Sequence, residues 1–222
     1  MSSSGVTLLP LLYLGNLPYW ACLYNCGDIA LDDQEIYPKG TFRNRCQLLG
    51  SQGMMRLSIP LRSGKHAGQP YREVRTDEGR SWQRQHWQSI KTCYGRAPFF
   101  SHYAEKLESL FRQEFPSLWL WNLTLFRLIA GWLNLEMKEP FLLSQIVPSP
   151  IIFNDWRRAF SDRPQQRYSL PGFHSVPYPQ VFGHAGDFNP AGSILDLLFC
   201  QGPYAGRILR RMAAPCGKIN VS

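Results

Sequence analysis

The six cysteines of this sequence form no Cys-x-x-Cys pair, which removes the zinc-ribbon and thioredoxin-type readings. Five histidines occur, yet no His-x-x-x-His or His-Glu-x-x-His, so the helical ligand sets of metalloproteases and structural zinc sites are missing. Neither a Gly-x-x-x-x-Gly-Lys-Ser/Thr loop nor a Gly-x-Ser-x-Gly elbow is present. P-loop nucleotide hydrolysis and the α/β-hydrolase nucleophile lose their support. Long apolar runs are also lacking. The longest, residues 118–133, is interrupted by Asn122, Thr124 and Arg127, whereas a membrane span wants about 20 apolar residues without a central charge. A buried core helix is the expectation there. Residues 1–5 carry no cationic segment, and the apolar stretch after them is broken by Pro10, Gly15 and Pro18. A secretory leader is therefore not expected, and the cysteines are expected reduced in a cytoplasmic protein. No run of five or more like charges and no internal repeat occurs.

What is present is apolar mass. Hydrophobic residues make up 44% and aromatic residues 14% of 222, which excludes a disordered composition and suffices for one sizeable core. Most of the aromatics are expected in that core. Lys and Arg number 24 against 16 Asp and Glu, a net charge of +8. Such a surplus favours anionic partners. Because it is spread rather than blocked, an anionic, phosphate-bearing small molecule is expected rather than a nucleic acid. The residues name no cofactor, and the oligomeric state is not encoded in them.

Along the chain, residues 6–12 read as a first strand ending in a turn at Gly15-Asn16, and residues 18–26 as a helix with Pro18 in its first turn. Residues 28–31 read as a second strand. This strand–helix–strand pattern is the unit of a parallel sheet. Residues 34–50 look irregular, 55–61 resemble a strand, 62–71 a polar loop and 73–76 an edge strand. Helices are predicted over 82–94, where Trp82, His86, Ile90 and Cys93 share one face, around Tyr103 to Phe115, over 117–133, over 193–200 from the Ser193-x-x-Asp196 capping pattern, and over 205–212. The proline-rich stretch 137–180 offers one helix-like or strand-like piece near Ile151-Ile152-Phe153. The fold class is α/β, a single domain spanning 1–222, with a small mostly parallel sheet flanked by helices and a helical middle and C-terminal part.

Candidate chemistry concentrates early. Asp32 and Asp33 follow a predicted core strand, where ligands of open α/β sheets sit. Carboxylates there can orient a hydroxyl, bind a cation or act as a base. As plain turn residues they would cap the chain instead. Arg43-Asn44-Arg45 suits phosphate or carboxylate, since a guanidinium engages two oxygens at once. In an extended strand Arg43 and Arg45 would share one side. His86 is the candidate acid–base group, although a lone histidine on an aromatic helix face is more often a hydrogen-bonded core residue. Lys91 is a candidate anion ligand on the same helix.

Several of these segments resemble one family. In order they are Asp32-Asp33, Thr41-Phe42-Arg43-Asn44-Arg45, Leu57-Ser58-Ile59-Pro60-Leu61, the run from Trp82-Gln83-Arg84-Gln85-His86-Trp87 through Ala97-Pro98-Phe99-Phe100, Tyr178-Pro179-Gln180-Val181-Phe182 and Ser193-Ile194-Leu195-Asp196. The chain resembles the WbqC-like proteins, bacterial proteins named for a surface-polysaccharide (O-antigen) gene context. The resemblance adds Gln180 to the candidate binding residues. Many members open with Gln-Pro-x-Tyr-Leu-Pro, whereas this chain has Leu9-Pro10-Leu11-Leu12-Tyr13-Leu14-Gly15-Asn16, without the glutamine. Residues 137–170 also match poorly. The opening strand, turn and helix are similar to nucleotidylyltransferase-like folds, where that turn meets phosphates. Tyr13 and Asn16 are candidate binding residues on that ground, although the two-histidine signature of those enzymes is absent.

Two readings follow. In the first the protein is a transferase acting on an activated, phosphate-bearing intermediate of surface-glycan assembly, with Arg43 and Arg45 holding the anion. In the second it is a non-catalytic binding or scaffold protein, with the aromatic helix at 82–94 as the interface.

Overall fold

The computed structural model describes residues 6–25, 28–62, 68–77, 81–135, 141–146, 152–160, 173–182 and 188–212. Half of the polar loop expected at 62–71, the end of the first predicted helix at Cys26 and much of the proline-rich stretch lie outside them.

The predicted strand–helix–strand unit is present. Strand β1 (Val6–Leu9) leads through helix α1 (Leu17–Asn25) to β2 (Ile29–Leu31), which pairs parallel to β1 with Thr7 opposite Ile29 and Leu9 opposite Leu31. Both strands are buried along their whole length, as central strands covered on both faces must be. Two later strands flank them, β5 (Phe141–Leu142) beside β2 and β6 (Ile152–Asp155) beside β1. The four-stranded order is β5-β2-β1-β6 and every pairing is parallel. The fold is therefore α/β with a small parallel sheet.

An antiparallel hairpin stands apart from that sheet, β3 (Arg45–Gly50) with β4 (Gly53–Ser58). Residues 45–50, expected irregular, are thus a strand. The sequence Arg-Cys-Gln-Leu-Leu-Gly lacks the β-branched and aromatic residues that mark strands. It is extended because six residues pair across to β4. The expected edge strand at 73–76 is instead a 3₁₀ turn, Tyr71–Glu73, followed by isolated bridges from Arg75 to Ser117 and from Leu61 to Thr76.

The helical middle comprises α2 (Trp82–Tyr94), α3 (Phe100–Phe111) and α4 (Leu118–Trp132), and the C-terminal part comprises α5 (Ile194–Gln201) and α6 (Ala205–Met212). Ser117 caps α4 by accepting a hydrogen bond from the Leu120 amide. One aromatic core joins these helices to the sheet. Trp20 of α1 stacks on Phe126 of α4, and Trp82 of α2 meets Trp121 of α4 edge to face. Offset and edge-on geometries of this kind are the favourable ones for aromatic pairs. The chain enters α1 through left-handed backbone at Leu14 (φ 60°) and Gly15 (φ 51°). A side chain at Gly15 would lie 2.6 Å from the Tyr19 ring and 2.7 Å from Trp20 Nε1, so only glycine fits there.

No described helix is long and apolar enough to cross a membrane.

Candidate functional site

Because the sheet is parallel, the carboxyl ends of its strands share one edge, where ligands of such sheets bind. The chain places charged groups there from distant segments. Asp32 and Asp33 follow β2, Ser144 follows β5, Arg157 follows β6, and the turn before β3 delivers Arg43.

Arg43 is 1% exposed and Glu35 7%. Their contact is bidentate, with Nε donating to Oε1 and Nη2 to Oε2, each at 2.7 Å. Nη2 also donates to the Arg157 carbonyl, and the guanidinium lies 6.0 Å from the Tyr71 ring centre. The Arg43 carbonyl accepts from Asn122 Nδ2 at 2.6 Å, and the same nitrogen donates to the Tyr71 hydroxyl. Tyr71 in turn donates to the Leu11 carbonyl just past β1. Arg43 is therefore held from both its backbone and its head group. Burial raises the Glu35 carboxyl above its ordinary value, against the pull of the Arg43 hydrogen bond and charge.

Asp32 accepts from Arg157 Nη1 through Oδ2 and from the Gln34 amide through Oδ1. Arg157 also forks onto Asp155, which its hydrogen bonds hold below the usual carboxylate range. The Asp155 contact is likewise the main force holding the Arg157 guanidinium in its charged form. Asp33 accepts from Arg72 Nη1 and from both the hydroxyl and the amide of Ser144. It stitches the ends of β2 and β5 together. Between these groups lies a cleft of about 440 Å³ lined by Glu35, Pro38, Arg43, Asp155, Arg157 and Arg158. Arg158 is exposed there.

The other sequence candidates lie elsewhere. Phe42 and Arg43 form a turn and Asn44 a bend, so Arg43 and Arg45 do not share a strand face as an extended reading would have it. Asn44 donates to the Ile59 carbonyl and steadies the exit from β4, while Arg45 opens β3 opposite Ser58. His86 is buried, with Nδ1 2.9 Å from the Tyr13 hydroxyl and its ring edge-on to Trp82. Burial pushes it down to about 4, partly offset by a hydrogen bond to the Ser58 backbone. At neutral pH it is an uncharged core imidazole that accepts from Tyr13. Asn16 caps α1 by accepting from the Tyr19 amide, as asparagine does at helix starts. Lys91 and Gln180 line a different cleft of about 710 Å³ with Arg96, Cys93 and Cys200. In it Gln180 donates to the buried Asp196 and to the Asn189 carbonyl. Trp82 and Trp87, expected on an interface, are buried, and Trp87 stacks against Phe100 and Phe111.

Reading the sequence missed Glu35, Asp155 and Arg157. The signals were an acid two residues past the aspartate pair and an arginine pair just after a strand. Among the described residues no group of three or more ligating side chains could hold a metal ion, and Cys46, Cys93 and Cys200 are free thiols.

An uncharacterized protein of Mycobacterium tuberculosis, Rv1507c, is 26% identical over 215 residues, covering 82% of this chain and 87% of that protein. No solved structure matches the chain. The profile of the WbqC-like protein family matches residues 12–148, which include the aspartate pair, the Arg43 turn and α2; the chain belongs to the WbqC-like protein family.

Proposed function

We propose that this protein is a cytoplasmic transferase that binds an activated, phosphate-bearing intermediate of surface-glycan assembly in the cleft at the carboxyl edge of the sheet. One observation carries the reading. Three guanidinium groups from two distant segments, those of Arg43, Arg157 and Arg158, line one cleft beyond the strand ends. Arg158 is exposed at the cleft, and its charge helps hold the Asp155 carboxyl low. Arginine suits this task because its planar fork matches a phosphate and stays charged at any working pH. Asp32 and Asp155 hold Arg157 in place, and Glu35 holds Arg43, so the cations are oriented before a ligand arrives.

The test is thermal shift and calorimetry on the full chain with inorganic phosphate, glucose 1-phosphate, UDP-glucose, ATP and acetyl-coenzyme A. A ligand at about 100 times its Kd adds roughly 2.7 kcal/mol of stability, which for a chain of this size is a rise of about 5–10 °C. Arg158→Ala, a change at an exposed position, is expected to weaken that binding with little effect on the unliganded protein. If none of the five compounds shifts the melting temperature, the proposal fails.

A further inference from the structure

Clefts in this protein differ in the charge of their walls. The sheet-edge cleft sets Arg43, Arg157 and Arg158 against Glu35 and Asp155. Another, of about 620 Å³ beside Trp82 and Trp87, sets Arg84 and Arg112 against Glu108 and Glu114. The cleft of about 710 Å³ at the end of α2 has Lys91 and Arg96 on its wall and no Asp or Glu. Lys91, Thr92 and Arg96 from α2 and its exit, and Ser51 from the hairpin tip, are exposed there. The segment facing them across the sequence, residues 179–182, brings mainly apolar groups, among them the half-buried Val181 and Phe182.

These walls are fixed by contacts within the protein. Tyr94, the last residue of α2, accepts from the Leu49 amide through its hydroxyl at 3.0 Å, which ties the helix end to the hairpin. Gln180 uses both ends of its amide. Oε1 accepts from the Asn189 amide, and Nε2 donates to the Asn189 carbonyl and to Asp196 Oδ2. An amide so engaged orients the wall and has little left for a ligand. Asp196 also accepts from the Tyr178 hydroxyl at 2.7 Å, so residues 178–180 are pinned to α5. The Val181 backbone hydrogen-bonds the Cys200 thiol, which burial pushes up to about 12, and burial raises Cys93 as well. Both thiols stay protonated and serve as wall groups rather than nucleophiles.

We propose that this cleft is a second binding site, for a small amphiphilic anion whose single phosphate or carboxylate head is held by Lys91 and Arg96 and whose apolar body lies against Val181 and Phe182. Its volume falls among those of small-molecule sites, about 300–1,000 Å³. The two cations attract the head, and the apolar wall gains from covering the body. A bare anion lacks the second contribution and a neutral apolar compound the first. The site does not depend on the sheet-edge cleft being occupied. The competing explanation is that Lys91 and Arg96 serve only the carbonyl end of α2, where cations are favoured. Glu108 of α3 feels the Lys91 charge, but it pairs with Arg112 and is not on this wall.

Calorimetric titration of the full chain with hexyl phosphate and octyl phosphate separates the two. Octyl phosphate is expected to bind about tenfold or more tightly than hexyl phosphate, at roughly fourfold per buried methylene. It is also expected to bind more tightly than inorganic phosphate or octanol. Lys91→Ser combined with Arg96→Ser changes two exposed positions, and is expected to weaken octyl phosphate binding about tenfold or more, the effect of losing hydrogen bonds to a charged group. Val181→Asp, which puts a carboxylate on the wall, is expected to weaken it as well, and serves if the double variant folds poorly. Arg158→Ala is expected to leave it unchanged, which places the binding outside the sheet-edge cleft. No saturable binding of octyl phosphate, equal affinity for the two alkyl phosphates, or weakening by Arg158→Ala would each overturn the second site. So would a lowered melting temperature of the double variant with an unchanged Kd, which would assign Lys91 and Arg96 to the helix end alone. Failure of the sugar phosphates and nucleotides to bind would sink the sheet-edge reading and leave this site standing.

Discussion

The protonation of His86 has a measurable consequence for stability. Its folded-state value lies near 4 against an ordinary 6.5, because the imidazole is enclosed between Tyr13 and Trp82 and a charge there would lose its hydration. A base whose folded value is depressed binds its proton more readily in the unfolded chain. Stability is thus fully present above about pH 6.5 and is lost as pH falls towards 4. At about 1.4 kcal/mol per pH unit, the difference is worth about 3 kcal/mol. Other groups titrate over the same range, so the comparison is with His86→Gln, which keeps an acceptor for Tyr13 and cannot titrate. Urea unfolding of the two proteins at a series of pH values is expected to show the unaltered protein losing about 3 kcal/mol more than the variant between pH 7 and 4. Proton NMR of the His86 ring is expected to show no titration near pH 6.5. Parallel pH profiles, or an imidazole titrating near its ordinary value, would refute the reasoning and return His86 to the candidate acid–base groups.

Glu35→Ala leaves Arg43 buried with only a carbonyl and a ring beside it, and is expected to cost about 3–5 kcal/mol, or roughly 6–20 °C in melting temperature. Glu35→Leu combined with Arg43→Met should cost less than Glu35→Ala alone; if the double change costs more, the pair is not the burden this geometry implies. Gly15→Ala forces a methyl against Tyr19 and Trp20 at a positive φ, at a cost of about 2–4 kcal/mol. A loss below about 1 kcal/mol on calorimetry would show that the turn into α1 can relax.

The α2 limits at Trp82 and Tyr94, those of α6 at Ala205 and Met212, and the parallel β1–α1–β2 unit were legible in the sequence. Each is a local matter, in which period, proline and glycine punctuation and apolar faces lie within a dozen residues. The position of Asp32 and Asp33 beyond a buried strand was legible for the same reason. The partner of each charged group was not. Asp32 meets Arg157 across 125 positions, and Tyr13 meets His86 across 73. Arg43 faces Glu35 because a turn, rather than a strand, carries it inward. Hairpin β3–β4 forms from weak strand formers because two segments pair. Local pattern sets which face of a segment is apolar, but an ion pair depends on which segments the parallel sheet brings to its carboxyl edge. Only the tertiary structure decided that Asp32 and Arg43 meet at one edge through Arg157, Asp155 and Glu35, while Arg45 stands apart in the hairpin.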